Sequence, residues 1–349
     1  MKPEPFRIEP IFSPRIWGAR SLAPLFPEKT NLKAPVGEAW LTGVDCRVAS
    51  GPFGGKSLRA AWDEMPADWR GERFPAGAPF PLLLKFLFPT EKLSIQVHPN
   101  DAYAQAHEQA AGGRGKTEMW HVVSAQKGAQ VLVGLKPGVN RDKFLEGLDQ
   151  NKLEELFKAH PVHAGDTLFV PAGTPHTIGP GMVICEIQEY SDLTYRVYDY
   201  GRVDAQGKPR ELHIEKALEV TDFRKSLGGK VSPLRLEKNS ATKLLLAACR
   251  FFATERWECS AKCEICADPA RFELLVILNG SGALSWQGES ARFQRGECWI
   301  APASQKNLEL LPERSVTLVR SYVPDLAVLR AELHRVGISA AALSQVIFD

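Results

Sequence analysis

Residues 165–176 read GDTLFVPAGTPH. Leu168 and Val170 are the alternating apolar residues of a short strand, which runs into a stiff Pro/Gly turn and presents one histidine, His176, at its end. A histidine with no task needs no such mount, so the stretch directs attention to residues elsewhere that meet it. Strands of the same kind recur as KLSIQVHP, TEMWHVVSA, AQVLVGL, MVICEIQEY, TYRVYDYG, FELLVILNG and ECWIAPA, separated by Gly/Pro turns. That pattern predicts a sandwich or barrel. Helical periodicity in DAYAQAHEQAA, NRDKFLEGLDQNKLEELFKAH and DLAVLRAELHRVG interrupts the strands rather than alternating with them. The predicted fold class is therefore all-β dominated with helical insertions, not a doubly wound sheet.

The chain has 349 residues and a formal net charge of +2, with acids and bases interspersed. That balance argues against a nucleic-acid footprint. The first residues, MKPEPFRIEPIF, contain no apolar leader core, and runs such as PLLLKFLF are too short to span a bilayer. A soluble, cytoplasmic protein without a membrane or nucleic-acid partner is expected; the oligomeric state is left open. Seven cysteines without regular pairing fit a reducing compartment. Cys259, Cys263 and Cys266 have a spacing used by some iron–sulfur sites, but they occur late in a strand-rich region, where a strand and its loop explain them.

The opening stretch has an echo. GECWIAPASQKN, residues 296–307, repeats the glycine, the strand, the proline and a small residue two further on, and carries Asn307 where the first copy has His176. A duplicated β module is expected, with ligands kept in one copy only. The domain reading is a catalytic module over 1–222, a linker over 223–240, a second module without metal ligands over 241–325 and a helical tail over 326–349.

Within SIQVHP, Gln96 and His98 are two apart and leave one face of a strand. In GKTEMW, Lys116, Glu118 and Trp120 share a face, and Glu118 is a carboxylate in an apolar run. A lone strand histidine is ordinarily structural, and a lone strand acid is ordinarily solvated. Gln96, His98, Glu118 and His176 together, however, supply two imidazoles, a carboxylate and an amide oxygen. That donor set suits a divalent ion of borderline hardness such as zinc, with positions left open. The lack of a thiolate points to a catalytic rather than a closed structural site. Around these residues lie three cations: Lys85 inside PLLLKFLF, Lys116, and Arg196 in TYRVYDY. Directed into one cavity, they would attract an anionic substrate such as a phosphate ester.

The segments LLLKFLFPTEKLSIQVHPND, GKTEMWHV, GDTLFVPAGTPHTIG, SDLTYRVYDYGR and GKPRELHIEKAL closely resemble the class I mannose-6-phosphate isomerases, in particular their short bacterial form; PRIWGAR around Trp17 and VGEAWLTG around Glu38 also fit. The likeness extends over residues 8–220. It implies a cupin fold, a double-stranded β-helix or jelly roll with a helical insertion, followed by a degenerate second cupin module. It implies one zinc ion, Zn2+, on Gln96, His98, Glu118 and His176. Catalytic roles are implied for Arg196, Asp192 and Lys116, and substrate contacts for Lys85, Lys116 and Arg196, with Trp17 a candidate wall. Two departures matter. Gly115 stands where longer members carry a histidine, so that histidine's role does not transfer, and GEAWLTG is looser than the usual segment.

The implied reaction interconverts mannose 6-phosphate and fructose 6-phosphate through a cis-enediol. Asp192 is the first candidate for the proton-transfer base, with a water on the metal or a lysine of lowered pKa as alternatives. Two other readings are a sugar-phosphate-binding or regulatory cupin without turnover, and an iron-dependent cupin dioxygenase. The latter is disfavoured by Gln96 and by the cluster of cations.

Overall fold

The computed structural model describes residues 2–203, 207–224, 228–238, 241–266 and 268–349. Strands Ile11–Ala19, Val36–Trp40, Leu82–Leu87, Met182–Glu189, Glu118–Ala125, Thr167–Val170 and Gly229–Val231 lie side by side in that spatial order. Tyr195–Tyr198, Ile95–Val97, His176–Ile178, Gln130–Leu135 and Phe157–Pro161 form a smaller sheet. Leu87, Trp120 and Val170 from the large sheet share a core with Val133 and Ile178 from the small one. The arrangement then repeats. Leu234–Lys238, Ala241–Ala248, Ala253–Cys259, Val316–Tyr322, Glu273–Asn279 and Cys298–Ala301 follow the same order, and Cys263–Ile265, Leu308–Pro312, Ser281–Trp286 and Glu289–Gln294 make the second small sheet. The fold is the expected β-rich duplication with helical insertions.

The large sheets are covered on both faces, which explains why their strands read as apolar runs rather than alternating ones. In Leu82–Leu87 all residues are buried. Leu82, Leu84 and Phe86 enter a core shared with Val276, Ile300 and Tyr322 of the second module. The opposite parity, Lys85 and Leu87, points into the first module's own barrel, where both line one cavity. The between-module core also takes in the insertion that carries helix Leu58–Glu64, whose Trp62 meets Phe272 edge-on at 5.1 Å.

Several local readings shift. NRDKFLEGLDQNKLEELFKAH is helical only over Arg141–Asp149, with a short 3₁₀ turn at Leu153–Leu156. Asn151 adopts φ 56 and reverses the chain, and Phe157 begins a strand that pairs with Leu135. Tyr200, within the predicted strand TYRVYDYG, lies in a turn at φ 58 beyond Tyr195–Tyr198. Residues 223–240 include Gly229–Val231, paired with Thr167–Phe169 in the first large sheet, and Leu234–Lys238, paired in the second. Residues 225–227 and 239–240 of that stretch lie outside the described residues. The tail forms a helix over Leu326–Arg335, capped by Asp325. Beyond it, Ile347 bridges to Ala248 and Phe348 stacks on Phe169 at 4.1 Å, so the tail touches both modules. Cys259 and Cys263 are buried and Cys266 is exposed. No helix among the described residues is long and apolar enough to cross a membrane.

Register makes the duplication quantitative. Val170 and Ala301 hold the same place in the repeated stretch; Val170 pairs with Glu118 and Ala301 with Glu273. Glu273 is therefore the counterpart of Glu118. Two residues further along, Trp120 pairs with Glu186 and Leu275 with Arg320. Next across, Glu186 pairs with Lys85 and Arg320 with Glu255. The charges are exchanged: Lys85 and Glu186 in the first module become Glu255 and Arg320 in the second. On the small sheet Gln96 pairs with His176, whereas in the second module Ile265 pairs with Leu308.

The second interior is closed by its own cation. Arg320 Nε bonds Glu273 Oε2 at 2.7 Å and Nη1 bonds Glu255 Oε2 at 3.3 Å, while Trp257 Nε1 and Tyr322 OH also donate to Glu255. Burial works against the charge of Arg320, but the two carboxylates dominate and hold its pKa well above the ordinary value. The space bounded by Asp268, Arg271, Glu273 and Gln305 is only about 10 Å³. Replacing Arg320 by Met strands two buried carboxylates, and the expected loss in urea unfolding is roughly 3–5 kcal/mol, largely recovered when Glu255 and Glu273 are also made Gln. A loss below about 1 kcal/mol for the single variant would contradict this account.

Candidate active site

The first barrel holds four groups together that lie far apart in sequence. Gln96 and His98 come from the small-sheet strand Ile95–Val97 and its end, Glu118 from the large sheet, and His176 from the start of a small-sheet strand. His98, Glu118 and His176 are buried, with ligand-capable atoms all within 4.8 Å of one another. His176 Nε2 is 3.2 Å from Glu118 Oε1, and His98 Nε2 is 3.8 Å from the same oxygen. Gln96 Nε2 is 3.2 Å from His176 Nε2, so the side-chain amide reaches the same point. Turning it end for end would aim its oxygen there.

The backbone orients both imidazoles. His98 Nδ1 is 2.8 Å from the Leu193 carbonyl oxygen, and His176 Nδ1 is 2.8 Å from the Thr174 carbonyl oxygen. Each Nδ1–H donates to a carbonyl, which leaves each Nε2 as an acceptor turned inward. The rigid mount of the opening stretch is what supplies the Thr174 carbonyl. Gly173, at φ 80, makes the turn, and a Cβ there would press on the Val220 carbonyl oxygen at 3.0 Å.

Of the two imidazole acceptors, His176 Nε2 has the Gln96 side-chain amide at 3.2 Å. His98 Nε2 and Glu118 Oε1 are without hydrogen-bond partners among the described residues. Burial lowers the His176 pKa to about 4, and burial followed by the Lys116 charge lowers that of His98 well below the usual value. Two neutral imidazoles and a carboxylate that face one another without a shared proton call for a cation between them, and His/Glu/His is a donor set for a borderline divalent ion. The residues fit such a metal.

The ion-binding groups meet a cavity of about 270 Å³ lined by Trp17, Lys85, Gln96, Lys116, Asp192 and Arg196. A larger cleft of about 870 Å³ elsewhere contains Lys92 and Glu154, which pair with each other, and none of the metal-binding candidates. Lys116 Nζ is 3.1 Å from Glu118 Oε2. Burial opposes the Lys116 charge, but Glu118, Glu186 and Asp192 outweigh it and raise its pKa, so a lysine of lowered pKa does not describe it. Lys85 Nζ bonds Asp192 Oδ1 at 2.6 Å and lies 4.3 Å from the centre of the Trp40 ring. Burial raises the Asp192 pKa, yet Lys85 and Lys116 prevail and hold it below the carboxylate norm. Arg196 Nε reaches Ser94 Oγ at 3.3 Å and its Nη1 reaches the Glu211 carbonyl oxygen at 3.0 Å. Trp17, buried at 3% exposure, forms part of the wall. Trp120 packs 5.4 Å from the His176 ring and donates to Glu186.

Sequence reading missed Glu186, which faces inward with Glu118 and Lys85 and whose pKa is pushed up to about 7 by burial and then by Glu118. The signal was present: in MVICEIQEY, Glu186 has the parity of Met182 and Ile184, which point into the barrel core. Arg15, Glu38, Arg210 and His213 also line the cavity. The departure at Gly115 has a steric cause, because a Cβ there would lie 2.5 Å from the Asn100 carbonyl carbon and 2.6 Å from the Asp101 nitrogen. The loop that seats Lys116 is packed too closely for any side chain at 115.

Two family models match the chain: "Phosphomannose isomerase type I, catalytic domain" over residues 6–126, and "Mannose-6-phosphate isomerase, cupin domain" over residues 242–323. The chain is 32% identical to the mannose-6-phosphate isomerase ManA of Bacillus subtilis over 309 residues, which cover 86% of this chain and 94% of that protein. A crystal structure of a mannose 6-phosphate isomerase from Bacillus subtilis superposes with a TM-score of 0.82 at 29% identity, covering 91% of this chain and 99% of the other. A mannose 6-phosphate isomerase bound with zinc and yttrium shares the fold at a TM-score of 0.67 and 16% identity, with 91% and 99% covered.

Elemental analysis of purified protein checks the assignment of the ion-binding groups. His176→Ala and Glu118→Gln should each lose most of the bound divalent metal, whereas Arg196→Ala retains it; equal loss in all three would refute the division. Gly115→Ala should lower unfolding stability by about 1–3 kcal/mol through overpacking, and an unchanged urea midpoint would count against the steric account.

Proposed function

The chain belongs to the type I mannose-6-phosphate isomerase family, and we propose that it interconverts mannose 6-phosphate and fructose 6-phosphate with one divalent ion, zinc, held by Gln96, His98, Glu118 and His176. The observation that carries this reading is the set of unpartnered buried acceptors, His98 Nε2 and Glu118 Oε1, beside a cavity lined by Lys85, Lys116, Asp192 and Arg196.

Aldose–ketose exchange requires a proton to leave a carbon next to a carbonyl and return one carbon away. When bound, the ion polarises the substrate's carbonyl or hydroxyl oxygen and so acidifies the adjacent C–H. The chain's own groups do the rest. Asp192 is an ionised carboxylate at the cavity mouth, fixed by Lys85, which is itself seated on Trp40. It is our assignment for the base that takes the proton and returns it on the same face of a cis-enediol. Lys116 is a buried cation paired with Glu118, placed to stabilise negative charge as it develops on the enediolate oxygens. Arg196 supplies a guanidinium at the more open end. Trp17 walls the cavity and excludes water, which strengthens each of these electrostatic effects.

A coupled assay from mannose 6-phosphate to fructose 6-phosphate tests the reading. Activity should vanish with a strong chelator and return with zinc, and full activity without any metal would refute the metal assignment. Asp192→Asn should lower kcat by roughly 10²–10⁴-fold while metal content is unchanged. A protein that binds hexose 6-phosphates tightly but turns none over would instead be a sugar-phosphate-binding cupin.

A further inference from the structure

The cavity has two chemically different ends. Its deep end contains Lys85 and Lys116, both buried, and each is matched by one carboxylate: Lys85 by Asp192 at 2.6 Å and Lys116 by Glu118 at 3.1 Å. Its outer end is lined by the half-exposed residues Arg15, Arg196, Arg210 and His213. There the charges do not balance. Arg15 pairs with Glu38 at 2.7 Å. Asp199 is shared by two guanidinium groups, those of Arg202 and Arg210, with Arg210 Nε to Asp199 Oδ2 at 2.8 Å, and Arg202 also lies 3.8 Å from Glu91. Arg196 bonds only to a hydroxyl and a carbonyl and has no carboxylate within ion-pair distance among the described residues.

The three arginines that line this end, Arg15, Arg196 and Arg210, thus face two carboxylates, one of which is shared with Arg202 outside the cavity. The crowding is felt electrostatically: after burial, the charges of Arg210, Arg202 and Arg15 hold the Arg196 pKa below its ordinary value. A surplus of fixed positive charge at a cavity mouth is unfavourable when empty and favours a dianion, and planar guanidinium forks match the geometry of phosphate oxygens.

We propose that Arg210, oriented by Asp199, joins Arg196 and Arg15 to form the phosphate-recognising end of the cavity, so that the two lysines act at the carbonyl end of the sugar. The inference rests on the isomerase reading above and deepens it. It makes Arg210 and Arg15 determinants of specificity for a phosphorylated over a free hexose. Asp199 is a positioning residue that acts through Arg210.

The test has one kinetic and one binding arm. In the coupled assay, Arg210→Gln and Arg15→Gln should each raise KM for mannose 6-phosphate by roughly ten- to hundredfold, with a much smaller change in kcat, as expected when a charge-assisted bond used equally in ground and transition states is removed. Arg210→Lys should recover part of the loss, and Asp199→Asn should raise KM less than Arg210→Gln. Arg15 lies on a separate strand, so failure of one variant to fold leaves the other informative. Calorimetric titration of the metal-loaded protein with inorganic phosphate, and with fructose 6-phosphate against fructose, reads the same site without turnover. Loss of phosphate affinity in Arg210→Gln supports the clamp even if the protein proves inert as an isomerase, which would sink only the activity. Unchanged KM and unchanged phosphate affinity in both Gln variants would overturn the clamp while leaving the isomerase reading intact.

Discussion

A carboxylate inside a β-barrel must be neutralised, and the two halves of this chain meet that demand in opposite ways. Glu118 and Glu273 occupy equivalent register positions, on equivalent strands of the two large sheets. An isolated ionised carboxylate is far too costly in such an interior. In the second barrel Arg320 spans Glu273 and Glu255, and the aromatic groups of Trp257 and Tyr322 complete the shell. Nothing is left for an external cation to do. In the first barrel the neighbouring strand carries Glu186 where Arg320 would be, so Glu118 gains a second acid instead of a guanidinium group. Lys116 answers part of that charge, and the two imidazoles that face Glu118 bring lone pairs rather than protons.

The exchange of Lys85 and Glu186 for Glu255 and Arg320 also changes shape. A guanidinium fork that bonds two carboxylates at once fills the space between them. A lysine is a point charge on a slender stem. Lys85 leans on Trp40 and reaches Asp192 at the rim, and a cavity of about 270 Å³ remains open beside it. The two modules thus differ in which cation faces the equivalent fold position.

Much of the candidate site was legible in the sequence because its residues violate local pattern. Gln96 and His98 interrupt a short strand, Lys85 and Glu118 are charges in apolar runs, and His176 ends a turn stiffened by prolines and a glycine. What stayed hidden depends on partners distant along the chain. Glu186 resembles any strand acid until its parity with Met182 and Ile184 is tied to the barrel interior. Arg15 and Arg210 sit in segments without clear periodicity, and only the closed fold brings them to the same mouth as Arg196. The extended helix reading over LEELFKAH failed for a related reason. Its local periodicity was real, but Phe157 gains more from burial beside Leu135 in the small sheet than from another helical turn.

The same distinction between local and distant constraints explains why the cavity keeps its geometry without being closed. Its deep end is fixed by backbone: the Leu193 and Thr174 carbonyls set the imidazoles, and the packing of Asn100 and Asp101 against Gly115 sets Lys116. Such restraints are insensitive to what occupies the cavity. Its outer end is fixed by side-chain pairs on more exposed residues, Arg15 with Glu38 and Arg210 with Asp199, whose strength depends on solvent and on the charge of the occupant. A rigid floor suits chemistry that needs fixed distances to the reacting carbons. A responsive rim suits capture of a charged group that must also be released, and the order of burial from Lys116 outward to Arg15 places the two in that sequence along one path.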